Sequence, residues 1–121
     1  MKKKLGKSQS DSVVEYILTR TGDELETLSV KSIAVNLGLR RNTLWRRFKS
    51  EKNITLREYI FRVKIVHAST LLLEEKELTV KEVGAKIGFY SYNYFIHIFK
   101  EFYGTTPGRY RELKEYANTR R

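Results

Sequence analysis

The 121 residues carry a formal net charge of +10, with 24 Lys and Arg against 14 Asp and Glu, and 40% of them are hydrophobic. That is one domain's worth of foldable chain whose field favours a polyanionic partner, and the lack of Cys excludes disulfides and thiolate metal sites. His stands only at 67 and 97 and Asp only at 11 and 23, with no glycine-rich phosphate loop and no apolar run near the ~20 residues of a membrane span, so an enzyme, a cofactor or metal site and a membrane partner are not expected.

Residues 1–9 read as a basic flexible tail, because four Lys in the first seven positions lead into the polar run from Gly6 to Asp11. A signal peptide would need an apolar stretch there, so a cytoplasmic protein is expected. Beyond the tail, an apolar period near 3.6 residues, a single Pro and no strand-type alternation predict an all-α fold. Seven helices are expected, near residues 12–21, 30–37, 41–52, 56–74, 80–87, 92–103 and 107–117, with 119–121 as a C-terminal tail. Ser12 with Glu15, Thr55 with Glu58 and Thr79 with Glu82 each have the form of a capping box, and Thr106-Pro107 places Pro at a first helical position. The charge gathers around the third helix: residues 40–64 hold nine Lys and Arg against Glu51 and Glu58, a net +7. The fourth helix is apolar on two sides, with Leu56, Tyr59, Ile60, Val63, Val66 and Leu71 in one stripe and Phe61, Ile65, Ala68 and Leu72 in another. His67 lies in it with no second ligand at helical spacing and is read as a packing residue.

The chain repeats itself. At an offset of 50, residues Leu28 to Gly38 lie over Leu78 to Gly88, with Val30/Val80, Lys31/Lys81 and Gly38/Gly88 identical. One extra residue in the second turn moves the offset to 51, which lays Asn42-Thr43-Leu44 over Asn93-Tyr94-Phe95, Phe48-Lys49 over Phe99-Lys100, and Thr55 and Tyr59 over Thr106 and Tyr110. Each copy reads as short helix, glycine turn and second helix, the pattern of a helix-turn-helix, with Ala34 or Gly84 letting the helices approach and Gly38 or Gly88 supplying the left-handed turn residue.

In the first copy Leu44 and Phe48 share one side of the second helix, and Asn42, Trp45, Arg46 and Lys49 the other. In the second copy Phe95 and Phe99 turn inward while Asn93, Ile96, His97 and Lys100 face out, with Tyr92 at the helix start. Such spacing suits a helix laid along the major groove, where Asn pairs with adenine and Arg with guanine through two hydrogen bonds each. Arg40, Arg41, Arg47, Lys49 and Lys100 are assigned to phosphates, and Ser29 and Thr79 to caps on the first helix of each copy.

The run Gly88-Phe89-Tyr90-Ser91-Tyr92-Asn93-Tyr94-Phe95, then Phe99-Lys100, Phe102-Tyr103-Gly104-Thr105-Thr106-Pro107 and Tyr110-Arg111, resembles the signature of the AraC/XylS family of bacterial transcription regulators. The resemblance covers residues 10–115 or so and implies that family's DNA-binding domain: two helix-turn-helix modules, here 10–54 and 75–118, joined by a long linker helix at 55–74. It implies base reading by Asn42, Trp45, Arg46, Tyr92, Asn93, Ile96 and His97, double-stranded DNA as partner, no cofactor, and a place on the bacterial nucleoid. It also implies an effector or receiver domain, absent from this chain, so that the protein either acts alone or is an output domain. Two positions depart from the pattern: Arg40 stands where the family has a small capping residue and Arg47 where an apolar one is common. The competing reading is a protein-interaction module that docks on RNA polymerase through acidic patches at Asp23, Glu24 and Glu26 or at Glu74, Glu75 and Glu77, and meets DNA incidentally.

Overall fold

The computed structural model describes residues 8–119, and among them every regular element is an α-helix. In chain order these are α1 (Gln9–Leu18), α2 (Gly22–Leu25), α3 (Val30–Leu37), α4 (Arg41–Lys52), α5 (Leu56–Glu74), α6 (Val80–Ile87), α7 (Tyr92–Tyr103) and α8 (Pro107–Thr119). The chain divides into two compact units, one ending at Val63 and the other beginning at Lys64. None of the described helices is long and apolar enough to cross a membrane.

The all-α class and the bounds of five helices, α3 to α7, agree with expectation; the count of seven does not, because eight helices are described. The extra one, α2, is a single turn closed by a capping box: the Thr21 amide donates to Glu24 Oε1 at 2.8 Å and the Glu24 amide to Thr21 Oγ1 at 3.4 Å. One turn is too short to show a period, yet it drives Leu25 wholly into the core.

The first helix also begins earlier than expected. Its cap is Ser8, whose Oγ accepts from the Asp11 amide at 3.0 Å, and Ser12 lies inside the helix, so the Ser12 and Glu15 box does not open it. Starting at Gln9 buries Val13 and Ile17 and leaves Asp11 in the first turn, where its carboxylate pairs with the Lys52 ammonium of α4. Lys52 holds the Asp11 carboxyl below its ordinary range, and Asp11 raises the Lys52 ammonium in return. Gln9 thus belongs to α1, with Ser8 as its cap, and Thr119 belongs to α8. The rest of the two expected tails, residues 1–7 and 120–121, lies outside the described residues.

In the first unit Val13, Ile17, Leu25, Leu28, Ile33, Ala34, Leu44, Phe48, Leu56 and Ile60 form one buried cluster. In the second unit Ile65, Ala68, Leu72, Val83, Ile87, Phe89, Phe95 and Phe99 are buried. The two stripes of α5 are therefore used in succession: Leu56 and Ile60 serve the first core, Ile65, Ala68 and Leu72 the second, and Val66, expected to pack, is exposed. His67 is half-buried.

Aromatic rings dominate the second core, with Phe99 centred 4.7 Å from Tyr103, 5.4 Å from Tyr110 and 6.0 Å from Phe95. Arg111 is the polar fastener there. Its Nε donates to the Leu72 carbonyl at 2.8 Å and its guanidinium to the carbonyls of Leu78 (2.8 Å) and Glu75 (3.4 Å), so one planar fork satisfies acceptors at and beyond the end of α5.

Gly84 needs its missing side chain: a Cβ there would stand 2.7 Å from Phe95 Cδ2, inside van der Waals contact with a fully buried ring. The matched positions of the first unit hold Ala34 and Leu44, a larger residue opposite a smaller one. Gly84→Ala should therefore destabilise the second unit by about 1–3 kcal/mol from overpacking, in spite of the ~1 kcal/mol by which Ala is the better helix former. In urea unfolding, adding Phe95→Leu to Gly84→Ala should recover part of that loss. Strict additivity of the two substitutions would show that the contact does not set the helix spacing.

Candidate nucleic-acid interface

Each unit places its outward-facing helix by the same local device. In the first, Gly38 ends α3 at φ 66°, and the Leu39 amide reaches back to the Ala34 carbonyl at 2.8 Å. In the second, Gly88 ends α6 at φ 100°, and the Phe89 amide reaches the Gly84 carbonyl at 3.0 Å. This doubly bonded end turns the chain sharply and seats the apolar residue after the glycine against the helix just left. Ser29 and Thr79 cap α3 and α6 as expected, through reciprocal bonds with Ser32 and Glu82.

The turn sends α4 away with Leu44 and Phe48 buried and Asn42, Trp45, Arg46 and Lys49 exposed. Trp45 keeps 47% of its surface in solvent, which rules it out as a core residue of this unit. Arg40, Arg41 and Arg47 are exposed as well, and among the described residues none of Arg40, Arg41, Arg46 and Arg47 forms an ion pair. Glu58, at the start of α5, accepts from the Thr55 hydroxyl at 2.9 Å and from the Thr55 amide at 3.4 Å, and these bonds hold its carboxyl below the ordinary range, helped by the charges of Lys49 and Arg62.

In α7 Phe95 and Phe99 are buried, while Tyr92, Asn93, His97 and Lys100 are exposed. Ile96 is half-buried, at the edge of the outward face rather than on it. His97 Nε2 stands 3.3 Å from Glu101 Oε2, one turn further along the same helix. Thus the first unit brings together Arg40, Arg41, Asn42, Trp45, Arg46, Arg47 and Lys49, and the second brings together Tyr92, Asn93, Ile96, His97 and Lys100.

Two features went unread in the sequence. Tyr90 is the residue by which the second turn is longer than the first, and its relative exposure of 107% is the greatest of any large hydrophobic side chain described. With Tyr92 and Lys81 it lines a shallow hollow whose apolar wall includes Phe89 and Phe95, which makes it a further contact candidate. The signal was the extra aromatic in the repeat. The second feature is at the ends of the outward helices: Asn53 closes α4 at φ 59° and Gly104 closes α7 at φ 78°, matched positions at the offset of 51.

Comparison with known proteins agrees with this geometry. A family model described as a helix-turn-helix domain matches residues 33–113, more than half of the chain. The Msm operon regulatory protein of Streptococcus mutans is 34% identical over 92 residues, which cover 76% of this chain and 32% of that protein. The probable transcription factor PqrA of Proteus vulgaris is 32% identical over 106 residues, covering 85% of this chain and 86% of that protein. Among solved structures, the DNA-binding domain of AdpA in complex with a target DNA superposes with a TM-score of 0.72 at 23% identity over 92% of this chain and 96% of that one, a likeness of fold. The chain thus spans about a third of the length of the first relative and most of the second.

The two outward helices differ at their first turn. Ser91 Oγ caps α7 by accepting from the Tyr94 amide at 3.1 Å, whereas its counterpart Arg40 makes no side-chain cap on α4. Arg40→Ser should supply the missing acceptor and raise the stability of the first unit by about 1 kcal/mol. Thermal unfolding reads this directly; a midpoint unchanged or lowered by the substitution would mean that the open amides of α4 already have an equal partner.

Proposed function

The chain belongs to the AraC/XylS family of transcription regulators, and from that premise we propose that it is a sequence-specific regulator that binds double-stranded DNA through two recognition helices, α4 and α7. The observation that carries the reading is the pair of matched helices, each with an apolar side buried and a polar side exposed, one of them lined by arginines that form no ion pair among the described residues. In this reading residues 10–54 and 75–118 are the two helix-turn-helix modules and 55–74 the linker helix. Asn42, Trp45 and Arg46 read bases from the first module; Tyr92, Asn93, Ile96 and His97 read them from the second. Ile96 offers apolar contact from the edge of its face. Arg40, Arg41, Arg47, Lys49 and Lys100 hold phosphates, and the chain acts as a binding protein of the bacterial cytoplasm rather than as an enzyme.

Arg40 takes on a particular meaning here. A cation at the uncapped start of α4 costs helix stability and supplies a charge where a phosphate oxygen would meet both the guanidinium and the open amides. The first module is accordingly the anchor, and the second, with Lys100 as its cation, adds selectivity.

Binding to a duplex selected from a random pool should weaken steeply with salt, by about 0.9 in the slope of log K against log salt for each of roughly 5–8 phosphates neutralised. Arg46→Ala should cost about 1–3 kcal/mol and relax preference at one base pair, while Arg41→Ala should lower affinity for selected and random duplexes alike. Fluorescence anisotropy on both duplexes separates the two. A salt slope near zero, or equal affinity of the wild type for selected and random DNA, would remove the proposed function.

A further inference from the structure

The repeat places His97 of α7 at the position of Arg46 in α4, and Glu101 at the position of Ser50. The two candidate base readers therefore differ in kind. The Arg46 guanidinium has donors only and matches the acceptors of guanine in the major groove. A neutral imidazole has one donor and one acceptor, and which nitrogen is which depends on its surroundings.

At His97 the surroundings are settled by Glu101, whose Oε2 lies 3.3 Å from Nε2. A lone pair on Nε2 would face a carboxylate oxygen and be repelled by it; a proton there is attracted. The tautomer with hydrogen on Nε2 is thus favoured, and it leaves Nδ1 bare. The His97 side chain is 63% exposed and that of Glu101 64%, so the pair stands in reach of an incoming group.

We infer that Glu101 is a positioning residue that holds His97 as a hydrogen-bond acceptor, so that the second module selects an amino-bearing base edge, adenine or cytosine, where the first selects guanine through Arg46. The inference rests on the DNA-reading function proposed above and deepens it: the two modules meet their sites with opposite hydrogen-bond polarity at matched positions. Adenine N6 and cytosine N4 are the amino donors that the major groove offers, and a bare Nδ1 accepts from either. Guanine O6 and N7 would face it lone pair to lone pair.

Two measurements on the whole chain test this. The first uses nitrogen-15 resonances of the His97 ring in the DNA-free protein, at a pH well above the ordinary histidine range. Nδ1 should resonate as an unprotonated nitrogen and Nε2 as a protonated one. In Glu101→Gln, whose amide presents a donor or an acceptor equally well, the two tautomers should mix. A wild-type ring protonated on Nδ1, or a tautomer that Glu101→Gln leaves unchanged, would overturn the assignment without touching the DNA-binding reading.

The second measurement takes the base pair whose preference disappears in His97→Ala and compares all four bases there. The wild type should favour adenine or cytosine on the strand it meets by about fivefold, the worth of one net hydrogen bond. Glu101→Gln should lose that ratio while keeping the preference set by Arg46. Guanine preferred at that pair, or a ratio untouched by Glu101→Gln, would overturn the polarity. No preference at any base pair in the wild type would overturn the DNA-reading function itself, and the polarity with it.

Discussion

Each unit depends on how closely two short helices can approach behind a left-handed turn. A glycine with positive φ bends the chain, and the next amide reaches back across it to the carbonyl of Ala34 or Gly84. Gly84, the residue offering the carbonyl in the second unit, is also the one against which Phe95 of the following helix packs. In the second unit the contact is tight enough that a single methyl group would collide with Phe95. The outward face of α7 is aimed only as well as Phe95 is seated, because a helix held on one side by a packed ring has little freedom to roll. The smaller residue opposite the larger ring is therefore a condition for presenting Tyr92, Asn93 and His97 outward, and the first unit holds Ala34 and Leu44, both buried, at the matched positions.

The same plan yields two different surfaces because the positions outside the contact are free to diverge. Ser91 completes the start of α7 with its own hydroxyl, and Arg40 leaves the start of α4 open while adding a charge. The outward residues of α4 are rich in fixed donors; those of α7 include an imidazole and a carboxylate beside it. A repeat that keeps its interior and exchanges its exterior is the arrangement expected when packing is shared and recognition is divided.

How far the sequence revealed this can be judged from particular residues. Helices α3, α5, α6 and α7 were legible to the residue because capping hydroxyls, turn glycines and the apolar pattern agreed with one another, and α4, which lacks a capping hydroxyl, followed from its match to α7 in the repeat. The start of α1 was misplaced: Ser12 with Glu15 has the spacing of a cap, and only the burial of Val13 and Ile17 with the pairing of Asp11 to Lys52 shows that the helix begins a turn earlier, behind Ser8. α2 carries a capping box but no period. Leu44, Phe48, Phe95 and Phe99 declared the inward side of both outward helices, so their opposite faces followed. The full exposure of Tyr90 and the three carbonyls held by Arg111 depend on side-chain direction and on residues distant in sequence, which spacing does not encode, whereas His97 and Glu101 are an i, i+4 pair whose closeness the spacing did offer.

Net charge, the first signal in the sequence, is only a loose measure of what a polyanion would meet. Several of the cations are committed within the fold: Lys52 to Asp11, Arg111 to the carbonyls near the end of α5, Arg20 to the Tyr16 carbonyl and the Glu24 carboxylate, and Arg109 to Glu112. Arg57 lies over the Phe61 ring. A committed cation still contributes to the distant field, but it cannot reach a phosphate without breaking the contact it already has. Arg40, Arg41, Arg46 and Arg47, by contrast, stand exposed on or beside one helix and without ion pairs among the described residues. Contact strength at short range is governed by such uncommitted groups, because a charge already paired gains little from a second partner. The four guanidinium groups on or beside α4 are therefore open to a phosphate for a reason that the sum of +10 does not contain: among the described residues they have no ion pair to break.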